Sequence, residues 1–264
     1  MLCTTLLSMH WGLKRKMIYT LAVLAFIGGI IFLILRSYLS VDPTCFDAKL
    51  NGDESGIDCG GSCELVCRDD TRDIIIEWAR ALPVTDTVYN LVASLQNQNV
   101  HAGIRRVAYE FKAYDSKNIL IAERRGYTAI GPNQRTAIFE GTVDMGIRVP
   151  YLTTFTFLEP LVWHETEDRF AKKLLTIERE TWTQLESSPK LTARVRNNNA
   201  FDIVDVNVVV IAYDGSGNAL ATSQTVVESI PQGSFKDVAF TWPQPLQATP
   251  IKVDIIPRIN AFAQ

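Results

Sequence analysis

Residues 107–115 read VAYEFKAYD, and residues 206–214 read VNVVVIAYD. In each stretch the residues at alternate positions are apolar, beginning with Val107 and with Val206. Successive side chains of a β-strand point to opposite faces, so this pattern buries one face of a strand. Asp115 and Asp214 then open short segments rich in Asn, Ser and Gly, which favour tight turns. Both stretches therefore predict a half-buried strand followed by a hairpin turn.

These strands belong to a longer repeat with an offset close to one hundred residues. An earlier strand recurs in the same order, with Leu91, Ala93, Leu95, Asn97 and Asn99 matching Leu191, Ala193, Val195, Asn197 and Asn199. A repeat of this length is the size of a domain rather than of a solenoid unit. Short strands separated by turn signals are typical of two-sheet sandwiches. We therefore predict a mainly β fold with two tandem immunoglobulin-like β-sandwich domains, at 68–168 and 169–264.

The repeat resembles a small bacterial and archaeal domain family that is named for its F-x-L-Y-D motif. In the second copy, its elements are matched at 197–199, 206–214, 231–233 and Phe240. The motif itself reads F-K-A-Y-D in the first copy and V-I-A-Y-D in the second, so the Leu is replaced in both. Members of this family are adhesive or scaffolding sandwiches. The resemblance implies a role of that kind and transfers no catalytic residues.

The N-terminal region carries the signal of a membrane segment. Residues 17–35 contain no charged residue and directly follow Lys14, Arg15 and Lys16. At a rise of about 1.5 Å per residue, a helix of this length spans the hydrocarbon core of a bilayer. Three basic residues precede the segment and only Arg36 directly follows it, which predicts that the N-terminus stays in the cytoplasm.

We therefore predict a single-pass protein of the cell membrane. Residues 1–16 form a cytoplasmic tail, 17–35 a transmembrane helix within the lipid bilayer, and 36–44 a linker to the body outside. The alternative is a cleaved secretory signal, which has the same order of basic and apolar residues. This apolar stretch is longer than a typical signal and ends without small residues, which favours an uncleaved anchor.

Cysteines lie on both sides of the predicted membrane segment. Cys3 belongs to the predicted cytoplasmic tail, whereas four follow the segment: Cys45, Cys59, Cys63 and Cys67. An oxidising compartment pairs these four, and three pairings are open to them. We expect a small unit at 45–67 held by two disulfides, because it has too few apolar residues for a core. Its pattern N-G-x-E-x-x-x-D-C-G-G-x-C at 51–63 resembles a short element of bacterial surface proteins.

The same unit concentrates oxygen-bearing side chains, namely Asp47, Asn51, Asp53, Glu54 and Asp58. Oxygen ligands of this kind suit calcium, so a loose calcium-binding loop is one hypothesis. An EF-hand is excluded because Lys49 stands at a ligand position and no pair of helices flanks the loop. The alternative is that these residues only form tight turns. Apart from calcium, the sequence predicts no cofactor.

The sequence offers little for catalysis. Its three histidines are His10, His101 and His164, and none belongs to a complete zinc-protease motif. Nucleophile elbows, phosphate-binding loops and dinucleotide-binding motifs are absent from the sequence. The net charge of -3 provides no broad positive field for nucleic acid. We therefore predict a protein that is not an enzyme and does not bind nucleic acid.

Two functions remain open from the sequence. In the first, the chain is a non-catalytic envelope protein whose tandem sandwiches bind a protein or envelope component, or act as a spacer. In the second, it is an accessory subunit of a larger membrane assembly of the secretion or pilus type. An enzyme outside the cell is a third alternative, and it requires a cleft with convergent polar groups.

Overall fold

The computed structural model describes residues 11–39, 44–171 and 174–263. Cys3 and most of the predicted cytoplasmic tail therefore lie outside the described residues, as do 40–43 of the predicted linker. Strands account for 49% of the structure, which confirms the prediction of a mainly β protein.

The N-terminal helix α1 spans Trp11–Leu39 and extends beyond the predicted membrane segment at both ends. Its apolar side chains are exposed all around the helix, and it is long enough to cross a bilayer. This length and composition are those of either a membrane anchor or a signal sequence.

The remaining described residues form thirteen strands in two groups. The first β unit consists of β1 (Ile75–Pro83), β2 (Val88–Asn97), β3 (Ala102–Tyr114), β4 (Leu120–Ile130), β5 (Gln134–Asp144), β6 (Leu152–Phe157) and β7 (His164–Glu165). The second β unit consists of β8 (Leu175–Thr183), β9 (Lys190–Asn197), β10 (Ile203–Tyr213), β11 (Ala219–Ile230), β12 (Phe235–Thr241) and β13 (Lys252–Arg258). A short 3-10 helix precedes each unit, at Arg68–Asp70 and Asp168–Ala171.

Both units have the same strand connectivity. The first unit contains the antiparallel sheets β1-β2-β5 and β4-β3-β6, with β7 beside the start of β3. The second unit contains β8-β9-β12 and β11-β10-β13. Strands β1 to β6 thus correspond in order to β8 to β13. The two quoted stretches begin within the central strands β3 and β10 and end at the turn that follows each.

Each unit has its own hydrophobic core, to which both of its sheets contribute. In the first unit, Leu91 and Leu95 of β2 pack with Phe111 of β3. In the second unit, Leu191 of β9 packs with Val208 of β10 and its neighbours. These are the alternating apolar positions of the sequence, and burying one such side chain stabilises the fold by about 1.5 to 3 kcal/mol.

A buried asparagine network recurs in both units. Asn97 Nδ2 donates hydrogen bonds to the carbonyl oxygens of Ala102 and Gly131, at 2.9 and 2.8 Å. Asn97 Oδ1 accepts the backbone N–H of Asn99 at 3.0 Å. Asn197 forms the same set at 2.8, 2.9 and 2.9 Å with Phe201, Ile230 and Asn199. The spacing Asn-x-Asn therefore connects the turn after β2 or β9 to the opposite sheet.

The two β units pack side by side, with the outer face of β2 against the outer face of β10. A cluster of buried apolar residues forms the contact: Leu82, Val92, Ala137, Val209, Ile211, Tyr213 and Ile256. At its edges, Asn90 Nδ2 donates to the carbonyl oxygen of Thr222 at 2.9 Å. Arg135 Nη1 lies 2.8 Å from Asp254 Oδ2. Apolar burial and polar contacts together hold the units in one arrangement.

The segment after β13 returns to the first β unit. The ring of Phe262 lies 5.4 Å from the Arg105 guanidinium and 5.8 Å from the ring of His164. A Cβ on Gly103 would lie 2.7 Å from a backbone oxygen of β4 and 3.2 Å from Phe262, so this close contact requires glycine. The C-terminal segment thus adds a second contact between the units.

Candidate functional site

Two disulfides close the disulfide unit, defined as residues 45–67. Cys45 pairs with Cys63 and Cys59 pairs with Cys67, with Cα atoms 5.6 and 5.0 Å apart. The sequence predicts that these four cysteines pair with each other, and the structure selects this one of three pairings. A Cβ on Gly56 would lie 2.8 Å from the sulfurs of both Cys59 and Cys67, so the bonds leave room only for glycine.

The acidic side chains of the disulfide unit accept hydrogen bonds from their own loop. The Asp58 carboxylate accepts the backbone N–H groups of Asp47 and Ala48, at 2.9 and 3.0 Å. Asp53 Oδ1 accepts the hydroxyl of Ser62 at 2.8 Å. The bonds to Asp58 satisfy turn N–H groups that the loop leaves without a strand partner.

Calcium binding by this loop stays a prediction. Over the described residues, one group of three potential metal ligands lies within 4.8 Å of one another: Cys45, Glu54 and Cys63. The two sulfurs of that group are bonded to each other and so provide no thiolate. Asn51 Oδ1 is shielded from solvent and has no hydrogen-bond partner, so it is an oxygen that a cation could use. The other hydrogen bonds support the turn-forming alternative.

Backbone hydrogen bonds attach the disulfide unit to the first β unit. The N–H of Val66 donates to the carbonyl oxygen of Trp163 at 3.0 Å, and the N–H of Glu165 donates to that of Glu64 at 2.8 Å. Arg105 forms an ion pair with Glu64. Val66 also packs against the core of the first unit. The disulfide unit therefore lies beside β7 in a defined orientation.

The basic triplet predicted to set the membrane topology lies within α1. Lys14, Arg15 and Lys16 have exposed side chains near the start of the helix. The Arg15 guanidinium lies 4.1 Å from the ring centroid of Trp11. Their place at the N-terminal end of an apolar helix is the arrangement from which a cytoplasmic N-terminus is predicted.

A polar cavity of about 310 Å³ opens where the two β units meet. Besides Arg258, its lining includes Tyr127, Thr128, Asp205, Asn207, Gln224 and Asn260. Arg258 Nη2 donates to Thr128 Oγ1 at 2.6 Å, a bond that joins the second unit to the first. Arg258 as a whole is partly exposed, but its Nε atom is shielded from solvent and has no hydrogen-bond partner. Burial lowers the pKa of the guanidinium below its ordinary value.

Tyr109 lies at the edge of this cavity, and its hydroxyl is hydrogen-bonded to a carboxylate. Its hydroxyl donates to Glu140 Oε1 at 2.6 Å. Burial first, and then this hydrogen bond, raises the pKa of Tyr109 far above its usual value, so the hydroxyl stays protonated. A Cβ on Gly126 would lie 2.5 Å from the hydroxyl oxygen, so the bond depends on glycine at that position.

Sequence reasoning did not find this cavity. Its residues come from strands of both units, and their proximity depends on how the units pack. One signal in the sequence points to it: Arg258 directly follows the apolar run Ile255, Ile256 and Pro257. A charged residue that follows such a run into a partly buried position needs polar partners in the fold.

No protein-family model matches the sequence, and no curated protein sequence matches it. Among solved structures, the chain is similar to a transglutaminase of red sea bream, with 11% identity and a TM-score of 0.23 over 71% of this chain. A second similar structure is a β-glucuronidase of glycoside hydrolase family 2, with 11% identity and a TM-score of 0.21 over 83% of this chain. The alignment covers 29% of each of those proteins. Similarity at these scores carries no inference about fold or activity.

Proposed function

We propose that the protein is a non-catalytic, membrane-anchored protein of the cell envelope. In this proposal, α1 is the anchor, and two F-x-L-Y-D-like immunoglobulin sandwiches act outside the membrane as a binding or spacer module. The observation that carries the proposal is the series of attachments along the chain. The disulfide unit follows α1 and is hydrogen-bonded to the first β unit through Val66 and Glu165, and the first unit packs on the second. The disulfide unit and the two β units therefore form one continuous body that follows α1 in the chain.

The two disulfides support an oxidising location for this body. All four cysteines of the disulfide unit are paired, and its large apolar side chains Phe46, Leu50 and Ile57 are exposed rather than packed in a core. Stable disulfides of this kind are typical of compartments outside the cytoplasm. An anchor with a cytoplasmic N-terminus delivers the C-terminal body to such a compartment.

Labelling of cysteines in intact cells tests this topology. Cells that express the full chain are treated with a membrane-impermeant maleimide before and after addition of reductant. We expect no labelling before reduction and labelling of the disulfide unit after it, while Cys3 stays protected. The variant Cys3→Ser is the control and should behave identically outside the cell. Labelling of Cys3 in intact cells, or failure of Cys59 to react after reduction, contradicts the proposed topology.

An accessory subunit of a larger membrane assembly is the second candidate, and one surface favours it. The disulfide unit contacts the first β unit near the start of β3, whereas an apolar tip lies at the opposite end of this strand. The tip consists of Ile119, Leu120, Ile147, Val149, Tyr151 and Leu152, and Ile147 is 99% exposed. Exposed apolar clusters of this kind mark protein contacts. The tip of the second unit has the polar turn 214–218 and beside it the exposed Ile251, so its exposed apolar cluster is smaller.

Site-specific photocrosslinking separates the two candidates. A photoreactive residue is placed at Ile147 in the full chain, and a matched one at Ser216 on the polar tip of the second unit. A subunit of an assembly should give discrete crosslinked proteins from Ile147 and none from Ser216. Equal, diffuse patterns from both positions favour the spacer.

A further inference from the structure

Arg258 is a cation without an anion partner in the described structure. Its Nη2 atom donates to a neutral hydroxyl, that of Thr128, and its Nε atom is shielded and unpartnered. Over the described residues, it forms no ion pair with any carboxylate within 4.0 Å. A cation in this partly buried position costs free energy unless an anion approaches its accessible Nη groups.

The space beside Arg258 has the size and polarity of a small binding site. The cavity of about 310 Å³ is bounded by the first unit at Tyr127 and Thr128 and by the second at Asn207 and Gln224. The hydroxyl of Thr128 and the amide of Gln224 donate within the protein, so the donors left for a ligand are the amide N–H groups of Asn207 and Asn260 and the hydroxyl of Tyr127. Donors around a positive charge form the environment that a bound oxyanion requires.

We propose that this cleft binds a small oxyanion, a carboxylate or phosphate group, which the guanidinium of Arg258 holds. The planar fork of an Arg side chain matches two oxygens of such a group, and the Nη groups of Arg258 are the donors available to a ligand, since Nε is shielded. Because both β units line the cleft, the bound group stabilises their contact. The site is independent of the membrane topology proposed above.

Two carboxylates in the neighbourhood limit the charge of the ligand. Asp205 lines the same cavity from an exposed position, and Glu140 accepts the hydroxyl of Tyr109 beside it. Their negative charges oppose a second negative charge in the cleft. A singly charged carboxylate is therefore expected to bind more tightly than phosphate at neutral pH.

The test is a titration of the full chain in a neutral detergent with sodium acetate, and separately with inorganic phosphate. Sodium chloride balances the ionic strength, so that general salt effects are constant. Thermal unfolding is followed by tryptophan fluorescence, because a ligand that binds the folded state raises the midpoint in a saturable manner. We expect a saturable rise with acetate, a weaker one with phosphate, and none when chloride replaces them.

Variants then assign the effect to the cleft. Arg258→Gln should weaken oxyanion binding roughly tenfold or more, and Arg258→Lys should weaken it as well because the planar fork is lost. Arg124→Gln is the matched control, since it removes an exposed positive charge of the first unit that does not line the cavity. It should leave the apparent affinity unchanged.

Asp205→Asn keeps the proposal testable if changes at Arg258 impair folding. Asp205 has a positive φ of 50°, a conformation that Asn also accepts, so the backbone should tolerate the change. Removing its negative charge should tighten acetate binding severalfold. The proposal is overturned by a wild-type chain without a saturable response, by equal responses of Arg258→Gln and Arg124→Gln, or by Asp205→Asn binding no tighter.

Discussion

Strands β2 and β9 occupy the same place in the two β units. Each has an inner face toward the core of its own unit and an outer face, and the two strands differ in how the outer face is buried. On the inner face both carry the same series of apolar residues and asparagine, and both bury it. On the outer face, β2 carries Val92, which packs against the second unit, and Ser94, which is also fully buried. The corresponding residues of β9 are Thr192 and Arg194, which are partly exposed. The burial of the inner face follows from the fold of one unit, whereas the burial of the outer face depends on whether a neighbouring unit covers it.

Strands β3 and β10 differ in the same way, but here the covered outer face belongs to the second unit. The outer face of β10 presents Val209 and Ile211 to the first unit. At the equivalent positions β3 has Glu110 and Lys112, whose charged atoms lie 2.5 Å apart. The interface therefore uses one face from each unit, and these faces belong to different sheets of the repeat.

The strongest test of this comparison moves a charge from the outer face of β3 into the interface. Ile211→Lys gives β10 the residue that β3 has at the equivalent position. Ile211 is fully buried between the units, so the ammonium would have no partner there. We expect the free energy of unfolding to fall by about 4 kcal/mol. Chemical denaturation of the full chain in detergent measures the change.

The matched exchange on an uncovered face is Thr192→Val, which gives β9 the residue of β2. Since no unit covers this face of β9, the free energy of unfolding should change by less than about 0.5 kcal/mol. Comparable effects for Ile211→Lys and Thr192→Val would show that the two outer faces do not differ.

The asparagine network should be equally important in both units. Asn97→Ala and Asn197→Ala each remove hydrogen bonds to two buried carbonyl oxygens. We expect each to lower the free energy of unfolding by about 3 kcal/mol, because the partner groups are left unsatisfied. Gln98→Ala, at an exposed position between the two asparagines of the first unit, is the control. A large effect in one unit alone would argue against equivalent roles.

Loss of a disulfide bond should destabilise the disulfide unit locally, whereas changes at the contact between the β units affect both of them. Replacing Cys59 and Cys67 with Ser removes a bond across a sequence separation of 8 residues. We expect a loss of about 2 to 3 kcal/mol, confined to the disulfide unit and its attachment at Val66. Hydrogen exchange should show faster exchange of the Val66 amide and unchanged protection of β10. Loss of protection in β10 would show that the disulfide unit also supports the second β unit.

The smallest expected effect is the acid response of the two hairpin turns. Backbone N–H groups, chiefly those of Ile119 and Asn218, hold the pKa values of Asp115 and Asp214 below their usual range. A lowered carboxyl pKa stabilises the fold above the unfolded-state value of about 3.9, and that stability is lost as the pH falls below it. Asp115→Asn and Asp214→Asn should each make stability less dependent on pH in this acidic range. Denaturation midpoints between about pH 2 and 5 would show it, and an unchanged slope would contradict the assignment.

The sequence predicted the features that depend on residues within one β unit. Alternating apolar residues in β2 and β3 marked the inner faces, and the Asp-opened turns marked the hairpins, because both signals depend on neighbours close in the chain. The recurrence of Asn97 at Asn197 indicated equivalent positions, and the structure gives both the same hydrogen bonds. The apolar helix was visible for the same local reason.

Contacts between distant segments were beyond the sequence. The uninterrupted apolar run at 208–212 is typical of a strand buried on both faces, but it does not say what covers the second face. The disulfide pairing depends on how the loop folds back on itself. The cleft at Arg258 depends on how the two units pack. The only local signal for it in the sequence is a charged residue directly after the apolar run 255–257.

The asymmetric contact between the units has a consequence for self-association. A contact between unlike faces of similar units is heterologous, and repetition of such a contact between molecules generates an open fibre. The next such contact would use the outer face of β3 in one molecule and that of β9 in another. Both faces carry ion pairs, Arg125 with Glu110 at 2.7 Å on the first and Arg194 with Asp237 at 2.8 Å on the second. Burying these charged groups is costly, so these two faces disfavour the contact that would extend the series. Polymerisation would require apolar residues on both terminal faces at once.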